Sequence, residues 1–415
     1  MQSLTGEDRL WKRRQAFERK LANGPHIISY YHQVDDPYSH LAVQALAAIA
    51  SRYDVVVLPH LVGPPADWAA PERERLQAWA RTDAGLLALR HGLTFPDSAA
   101  QPEPGVANLA AANLIPWLGT DHFFEHAFNV GQRLWLGDDL DDADESGVEA
   151  AINAGESRRG ADGHFMSAMI HYGGEWYWGV DRLHYLERRL LELGAGEGAA
   201  DLLFPCAMEG AVSPTTGISG ESVDFFLSFR SPYTYLALDR ARLLAEAWGA
   251  RFNIRIVLPM VMRGLPVPRM KGLYFAQDAA REARRMGIPF GRIADPVGEP
   301  VERGYSLLAL ARGAGREFDY CQSFMQGVWA EGIDAGSESG LKLIVERAGL
   351  DWSQARTMIG NKGWKAEAES NRSALMQLGH WGVPVIRCGD VSVWGQDRLW
   401  VIEEELQRWA GAGSR

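Results

Sequence analysis

The sequence predicts an α/β protein in which one strand-and-helix unit occurs twice. The first sign is a corner that recurs. "YYHQVDDPYSHLAV" (30–43) and "FLSFRSPYTYLALD" (226–239) each turn an apolar strand run into a helix opened by proline. The second sign is a recurring tail. "GHFMSAMIHYGGEWYWGVDRLHYLE" (163–187) aligns without gaps on "GHWGVPVIRCGDVSVWGQDRLWVIE" (379–403), and 10 of the 25 positions are identical, which chance does not explain. Between corner and tail "VVVLPHLV" (55–62) matches "RIVLPMVM" (255–262), and "LRHGLTF" matches "ARRMGIPF". Segments repeated in the same order imply repeated structural units.

Each unit reads strand, helix, strand, long helical stretch, strand, turn, strand, terminal helix. In the second unit "VDFFLSF" is the opening strand and "FNIRIVLP" the next, both rich in β-branched and aromatic residues. The middle is helical. "YFAQDAAREARRMG" stops at Gly287, "FDYCQSFMQGVWAEG" at Gly332 and "GSESGLKLIVERAG" at Gly349, the last opening on Ser/Glu capping chemistry. "VPVIRCG" and "VSVWG" then form a hairpin around Gly389-Asp390. A strand–helix–strand start, a helical insertion and a closing hairpin with helix describe a thioredoxin-like unit carrying an inserted helical subdomain. The expected organisation is a charged N-terminal extension (1–23), unit one (24–195), a Gly/Ala-rich linker (196–219) and unit two (220–412).

Composition narrows the function. A chain of 415 residues has room for two or three domains, and 47% hydrophobic with 23% charged residues is a globular balance. A net charge of -11 argues against a nucleic-acid partner, because phosphate binding draws on clustered Lys and Arg. The first 24 residues are charged throughout, so no signal peptide or anchor is expected, and no apolar run reaches membrane-spanning length. The expected location is the cytoplasm. Cys206, Cys321 and Cys388 lie far apart and form neither a C-x-x-C pair nor a zinc-type cluster, so they read as buried hydrophobes and no metal site is expected.

The chemistry centres on Ser231. Pro232 suits the first helical turn, which places Ser231 at or beside the N-cap. There the hydroxyl either caps the helix or donates to an anion drawn by the unpaired N–H groups and the helix dipole. A serine cannot form a disulfide, so a thiol at this position must come from a ligand. Pro384, in "GVPV", is either an edge-strand proline or a cis proline that exposes the backbone of Val383 to an extended ligand. Tyr274, Asp278 and Arg281 share one helix face with Lys271 a turn earlier, and Arg263 and Arg269 lie close in sequence. That face is either solvated or a wall for a carboxylate.

Together "FFLSFRSPYTYLAL", "YFAQDAAREARRMGIPF", "GVWAEGID" and "GHWGVPVIRCGDVSVWGQDRL" resemble the 2-hydroxychromene-2-carboxylate isomerases, which group with kappa-class glutathione transferases in the DsbA-like branch of the thioredoxin superfamily. The resemblance spans residues 222 to 411, and unit one looks like a diverged copy. It implies a glutathione-dependent isomerase acting on an aromatic or unsaturated carboxylate. Ser231 would hold the glutathione sulfur as thiolate. Val383 and Pro384 would meet the cysteinyl part, and Gln396 and Asp397 the γ-glutamyl end. Lys271, Tyr274, Asp278, Arg281, Tyr233 and Trp381 would face the substrate, with Phe229 among the nearby aromatics. A conjugating transferase, a DsbA-like thiol oxidoreductase and a non-catalytic binding protein are the alternatives. The oxidoreductase is disfavoured because Ser231 and Thr234 occupy its two cysteine positions. "RGLPVPRMKG" lacks the asparagine that the family often carries ahead of Lys271. The assembly is expected to be a monomer whose two units stand in for a dimer, or a homodimer.

Unit one departs at the residues the resemblance assigns to the ligand. Asp36 stands where unit two has Ser231, Ala168 where it has Pro384 and Ser167 where it has Val383. Aspartate keeps the helix cap but repels a thiolate. Unit one is therefore expected to be a structural copy without glutathione activity.

Overall fold

The structure, a computed structural model, describes residues 24–97, 99–196, 201–207 and 221–412. The expected N-terminal extension and most of the expected linker lie outside these. Two compact units divide the chain, one within residues 5–209 and one within 210–415.

The N-terminal unit runs β1 (His26–His32), α1 (Pro37–Arg52), β2 (Val55–Leu61), α2 (Arg73–His91), α3 (Pro104–Leu114), α4 (Phe123–Leu136), α5 (Val148–Ala161), β3 (Met169–Tyr172), β4 (Glu175–Trp178) and α6 (Leu183–Glu192). Its sheet has the order β2-β1-β3-β4, with β1 and β2 parallel and the remaining pairs antiparallel. The core lies around Ile28, Tyr30, Leu41, Leu46, Ile170 and Leu186. Residues 201–207, assigned to the linker on composition, pack against this unit instead. The buried Glu187 carboxylate accepts from the N–H groups of Leu203 (2.8 Å) and Phe204 (2.9 Å) and from the Tyr53 hydroxyl (2.8 Å).

The C-terminal unit runs β5 (Ser222–Leu227), α7 (Pro232–Ala247), β6 (Arg251–Ile256), α8 (Arg269–Met286), α9 (Glu299–Ser306), α10 (Leu308–Gly313), α11 (Glu317–Ala330), α12 (Glu338–Arg347), α13 (Trp352–Met358), α14 (Trp364–Gln377), β7 (Val385–Cys388), β8 (Val391–Trp394) and α15 (Leu399–Ala412). Its sheet order, β6-β5-β7-β8, repeats the N-terminal pattern, including the parallel first pair. Both units are thus thioredoxin-like: a parallel strand–helix–strand start, helices inserted after it, and a returning hairpin followed by a terminal helix.

Local chemistry explains the element ends. Ser231 and Asp36 are the N-caps of α7 and α1, each followed by proline at the first helical turn. Gly287 closes α8 in the left-handed conformation its missing Cβ permits, at φ 69°. Ser337 caps α12 by accepting from the Gly340 N–H. The expected hairpin forms, with Val385 opposite Trp394 and Cys388 opposite Val391. One difference separates the matched second strands. β2 continues through Pro59 to Leu61, whereas β6 stops at Ile256, three residues before the matching Pro259. β2 is an edge strand, so Pro59 is tolerated where an outward N–H is not needed.

Candidate active site

The C-terminal ends of β5 and β6 and the start of β7 meet at the N-terminus of α7. There the half-buried Ser231 hydroxyl makes two hydrogen bonds. It accepts from the Thr234 N–H at 3.1 Å, which is the helix cap, and donates to the Val383 carbonyl at 3.2 Å. Val383 precedes Pro384 through a cis peptide bond. Its side chain packs on the cluster of Phe226, Val257, Leu375 and Val385, so the apolar core holds the carbonyl that faces the serine. Pro384 is held in turn, its carbonyl accepting from the Gly395 N–H at 2.9 Å.

α8 supplies a wall beside this corner. The Tyr233 hydroxyl donates to Asp278 at 2.9 Å, and Arg281 donates to the other oxygen of the same carboxylate at 2.6 Å. Phe275 lies between Tyr233, with ring centres 5.9 Å apart, and the Lys271 ammonium, 5.8 Å from its ring. Lys271 is buried, and desolvation pushes its pKa down to about 8. Tyr274 is half-buried, its ring 6.2 Å from that of Phe275. The face predicted from spacing is therefore assembled, with Asp278 buried at its centre.

Two further predicted residues, Trp381 and Gln396, are buried. Trp381 is 2% exposed and its ring packs on Trp394 at 4.5 Å, while its carbonyl accepts from Arg263 at 2.7 Å. It builds the turn that presents Val383. Gln396 is fully buried. Its amide oxygen accepts from Arg240 at 2.9 Å, and its amide nitrogen donates to Glu282 at 3.2 Å and to Asp397. Glu282 also pairs with Arg285 at 3.0 Å. Gln396 thus orients the half-buried Asp397 and ties α7 to α8.

Arg240 and Glu282 were not singled out by sequence. The internal match does carry a signal. Aligned through Ser231 on Asp36 and Gln396 on Val180, this network falls on Ala45, Leu87 and Val180, all buried and apolar. By contrast the Tyr233–Asp278 bond has a twin, Tyr38 to Asp83 at 2.8 Å.

At the Ser231 position the N-terminal unit holds its own carboxylate. Asp36 accepts from the Tyr38 and Ser39 N–H groups, each at 3.2 Å, and from the Ser39 hydroxyl at 2.9 Å. Burial pushes its pKa up to about 6, and hydrogen bonds from Ser39, Ser167 and the Tyr38 backbone oppose that rise. Ala168, matched to Pro384, has φ 53°, an uncommon conformation for a residue with a Cβ.

The four-stranded sheet with helices inserted between β6 and β7 makes the C-terminal unit a DsbA-like thioredoxin domain. The family model for the DSBA-like thioredoxin domain matches residues 222–407. The 2-hydroxychromene-2-carboxylate isomerase of Pseudomonas sp. (strain C18) is 30% identical over 196 residues, covering 44% of this chain and 89% of that protein. The enzyme of the same name from Pseudomonas putida is 28% identical over 194 residues, covering 45% of this chain and 94% of that protein. A solved 2-hydroxychromene-2-carboxylate isomerase is similar at 26% identity and a TM-score of 0.40, over 46% of this chain and 97% of its own. The chain belongs to the 2-hydroxychromene-2-carboxylate isomerase family, a family of isomerases. Among the described residues no helix is long and apolar enough to cross a membrane.

Proposed function

We propose that the C-terminal unit is a glutathione-dependent isomerase of an aromatic or unsaturated carboxylate. The observation that carries this reading is the Ser231 hydroxyl, set at the mouth of α7 and directed at the Val383 carbonyl. The residues present fit a cysteinyl peptide. Val383 offers a backbone acceptor, Ser231 a proton donor, and the helix N-terminus a field that favours negative charge. Asp397 is a fitting partner for an amino group.

When bound, glutathione supplies a sulfur nucleophile whose reversible addition to a conjugated double bond allows that bond to rotate. This chain's own thiols are poorly suited to the task. Cys206, Cys321 and Cys388 are all buried. Burial raises the pKa of Cys321 and pushes that of Cys388 up to about 12, so neither is a thiolate at neutral pH. Ser231 carries one proton, and in this structure Val383 takes it. A ligand N–H placed on the Val383 carbonyl would release that proton for the sulfur. Lys271 and Arg281 supply positive charge for a substrate carboxylate, and Tyr233 and Phe275 a flat apolar surface. In the N-terminal unit, which we read as a diverged copy of the same domain, Asp36 fills the anion position itself and that unit stays inactive.

Calorimetry with glutathione, followed by product analysis with 2-hydroxychromene-2-carboxylate, tests the reading. Stoichiometric binding, an isomerised product and recovered free glutathione support it. A stable conjugate supports the transferase instead, and absence of binding removes both.

A further inference from the structure

The turn before Ser231 is gripped by side chains from the helical insertion. Phe229 lies two residues ahead of the serine. Its carbonyl accepts from the Trp329 indole N–H at 3.0 Å, and its own N–H meets the Tyr305 hydroxyl at 3.4 Å. Tyr305 also donates to the Val257 carbonyl at 2.9 Å, just past the end of β6, so one hydroxyl joins the turn to the sheet. The Phe229 ring is fully buried, stacked on Phe324 with centres 4.0 Å apart and packed on Tyr305 at 4.8 Å. Gly304 leaves room for this stack, since a Cβ there would come within 2.5 Å of Phe324 and 2.9 Å of Phe229. Next in the chain, Arg230 forms two 2.7 Å bonds to the Asp295 carboxylate.

These contacts come from α9, α11 and the segment before α9, none of which belongs to the thioredoxin-like core. In the N-terminal unit the matching turn is tied differently, by Gln101 donating to the Asp35 carbonyl at 2.9 Å and by the Gln33 N–H donating to Ser39 at 3.2 Å. Within the turn itself the Ser231 N–H donates to the Ser228 carbonyl at 3.0 Å. The side chains around Phe229 thus hold the turn that leads into Ser231 from outside the sheet.

We propose that Trp329 and Tyr305 are positioning residues for Ser231, with Trp329 the principal one. Neither need touch a ligand. Trp329 satisfies the carbonyl of the fully buried Phe229, and loss of the indole N–H leaves that acceptor without this bond. The consequence for sulfur chemistry rests on the reading of Ser231 given above; the consequence for the turn does not.

The test compares Trp329→Phe with Trp248→Phe in the full chain. Trp248 is equally buried, but its indole nitrogen has no hydrogen-bond partner, so its substitution contracts a ring without removing a bond. Amide hydrogen exchange across 229–235 is expected to accelerate about tenfold or more in Trp329→Phe, the scale of one lost buried hydrogen bond, and to stay unchanged in Trp248→Phe. The pKa of the bound glutathione thiol, read from thiolate absorbance, is expected to rise only in Trp329→Phe. Equal exchange across 229–235 in both variants overturns the proposal, whatever the activity. If the wild-type chain binds no glutathione, the functional reading falls and the exchange measurement still decides the role of Trp329.

Discussion

The Ser231 hydroxyl stands 3.2 Å from the Val383 carbonyl, joining two residues 152 positions apart in the chain. The same oxygen caps α7 through the Thr234 N–H. Structural and chemical duties can therefore be separated by substitution. Ser231→Ala loses both, costing about 0.5–2 kcal/mol of stability through the cap. It is also expected to lower kcat/KM by about 10²-fold, as removal of one charge-stabilising donor does. Ser231→Asp restores the cap, as Asp36 does in the other unit, so thermal stability is expected to return while activity does not. Recovery of activity with Asp would contradict the role given to the hydroxyl.

Lys271 sets an alkaline limit. Its pKa is pushed down to about 8 by burial, so its charge fades as the pH rises through that value. KM for a carboxylate substrate is expected to rise above about pH 8, and Lys271→Arg, which stays charged, is expected to remove the rise. A KM profile identical in the two proteins would detach Lys271 from the substrate.

Asp36 gives the N-terminal unit the opposite signature to a stabilising carboxylate. Its folded pKa, about 6, lies above the ordinary value, so the folded state holds the proton more tightly than the unfolded chain. Its contribution to stability is present below about pH 4 and lost as the pH rises through 6. Asp36→Asn keeps a good cap and removes the ionisation. The variant is expected to gain about 1–3 kcal/mol at pH 7 and little at pH 4, measured by denaturant unfolding of the full chain. Equal effects at both pH values would contradict the assignment.

The Arg240–Glu282–Gln396 network is a buried ionic cluster that the other unit replaces with apolar residues. Glu282→Leu alone removes the buried carboxylate that pairs with Arg285 and accepts from Gln396, and is expected to cost about 3–5 kcal/mol. Adding Arg240→Ala and Gln396→Val recreates the Ala45, Leu87 and Val180 set and is expected to recover a large part of that loss. If the triple variant is folded and stable yet loses glutathione affinity, the network acts by holding Asp397. Unchanged affinity would limit it to packing.

Much of the fold was legible because the two halves spell the same element order. The Pro-opened corner, the Gly-closed helices and the Trp-Gly-x-Asp-Arg-Leu tail each appear where the chain pattern puts them. The subdivision between α9 and α10 was not, since the joint at Leu307 carries neither glycine nor proline. At the site, spacing on one helix brought Lys271, Asp278 and Arg281 together, as local geometry must. The buried bonds of Gln396 were not legible, because its partners lie 156 and 114 residues away, on α7 and α8. Trp329 was invisible for the same reason, since its partner carbonyl is 100 residues distant. An indole that serves a backbone carbonyl leaves no trace in spacing.

The proposed chemistry requires a sulfur nucleophile held by Ser231. Titration of thiolate absorbance for glutathione bound to the full-length protein, beside the Ser231→Ala variant, tests it most directly. The prediction is a bound thiol with a pKa well below the free value of about 8.5, returning toward that value in the variant. A wild-type thiol that titrates like free glutathione, or one equally depressed without the hydroxyl, would contradict it.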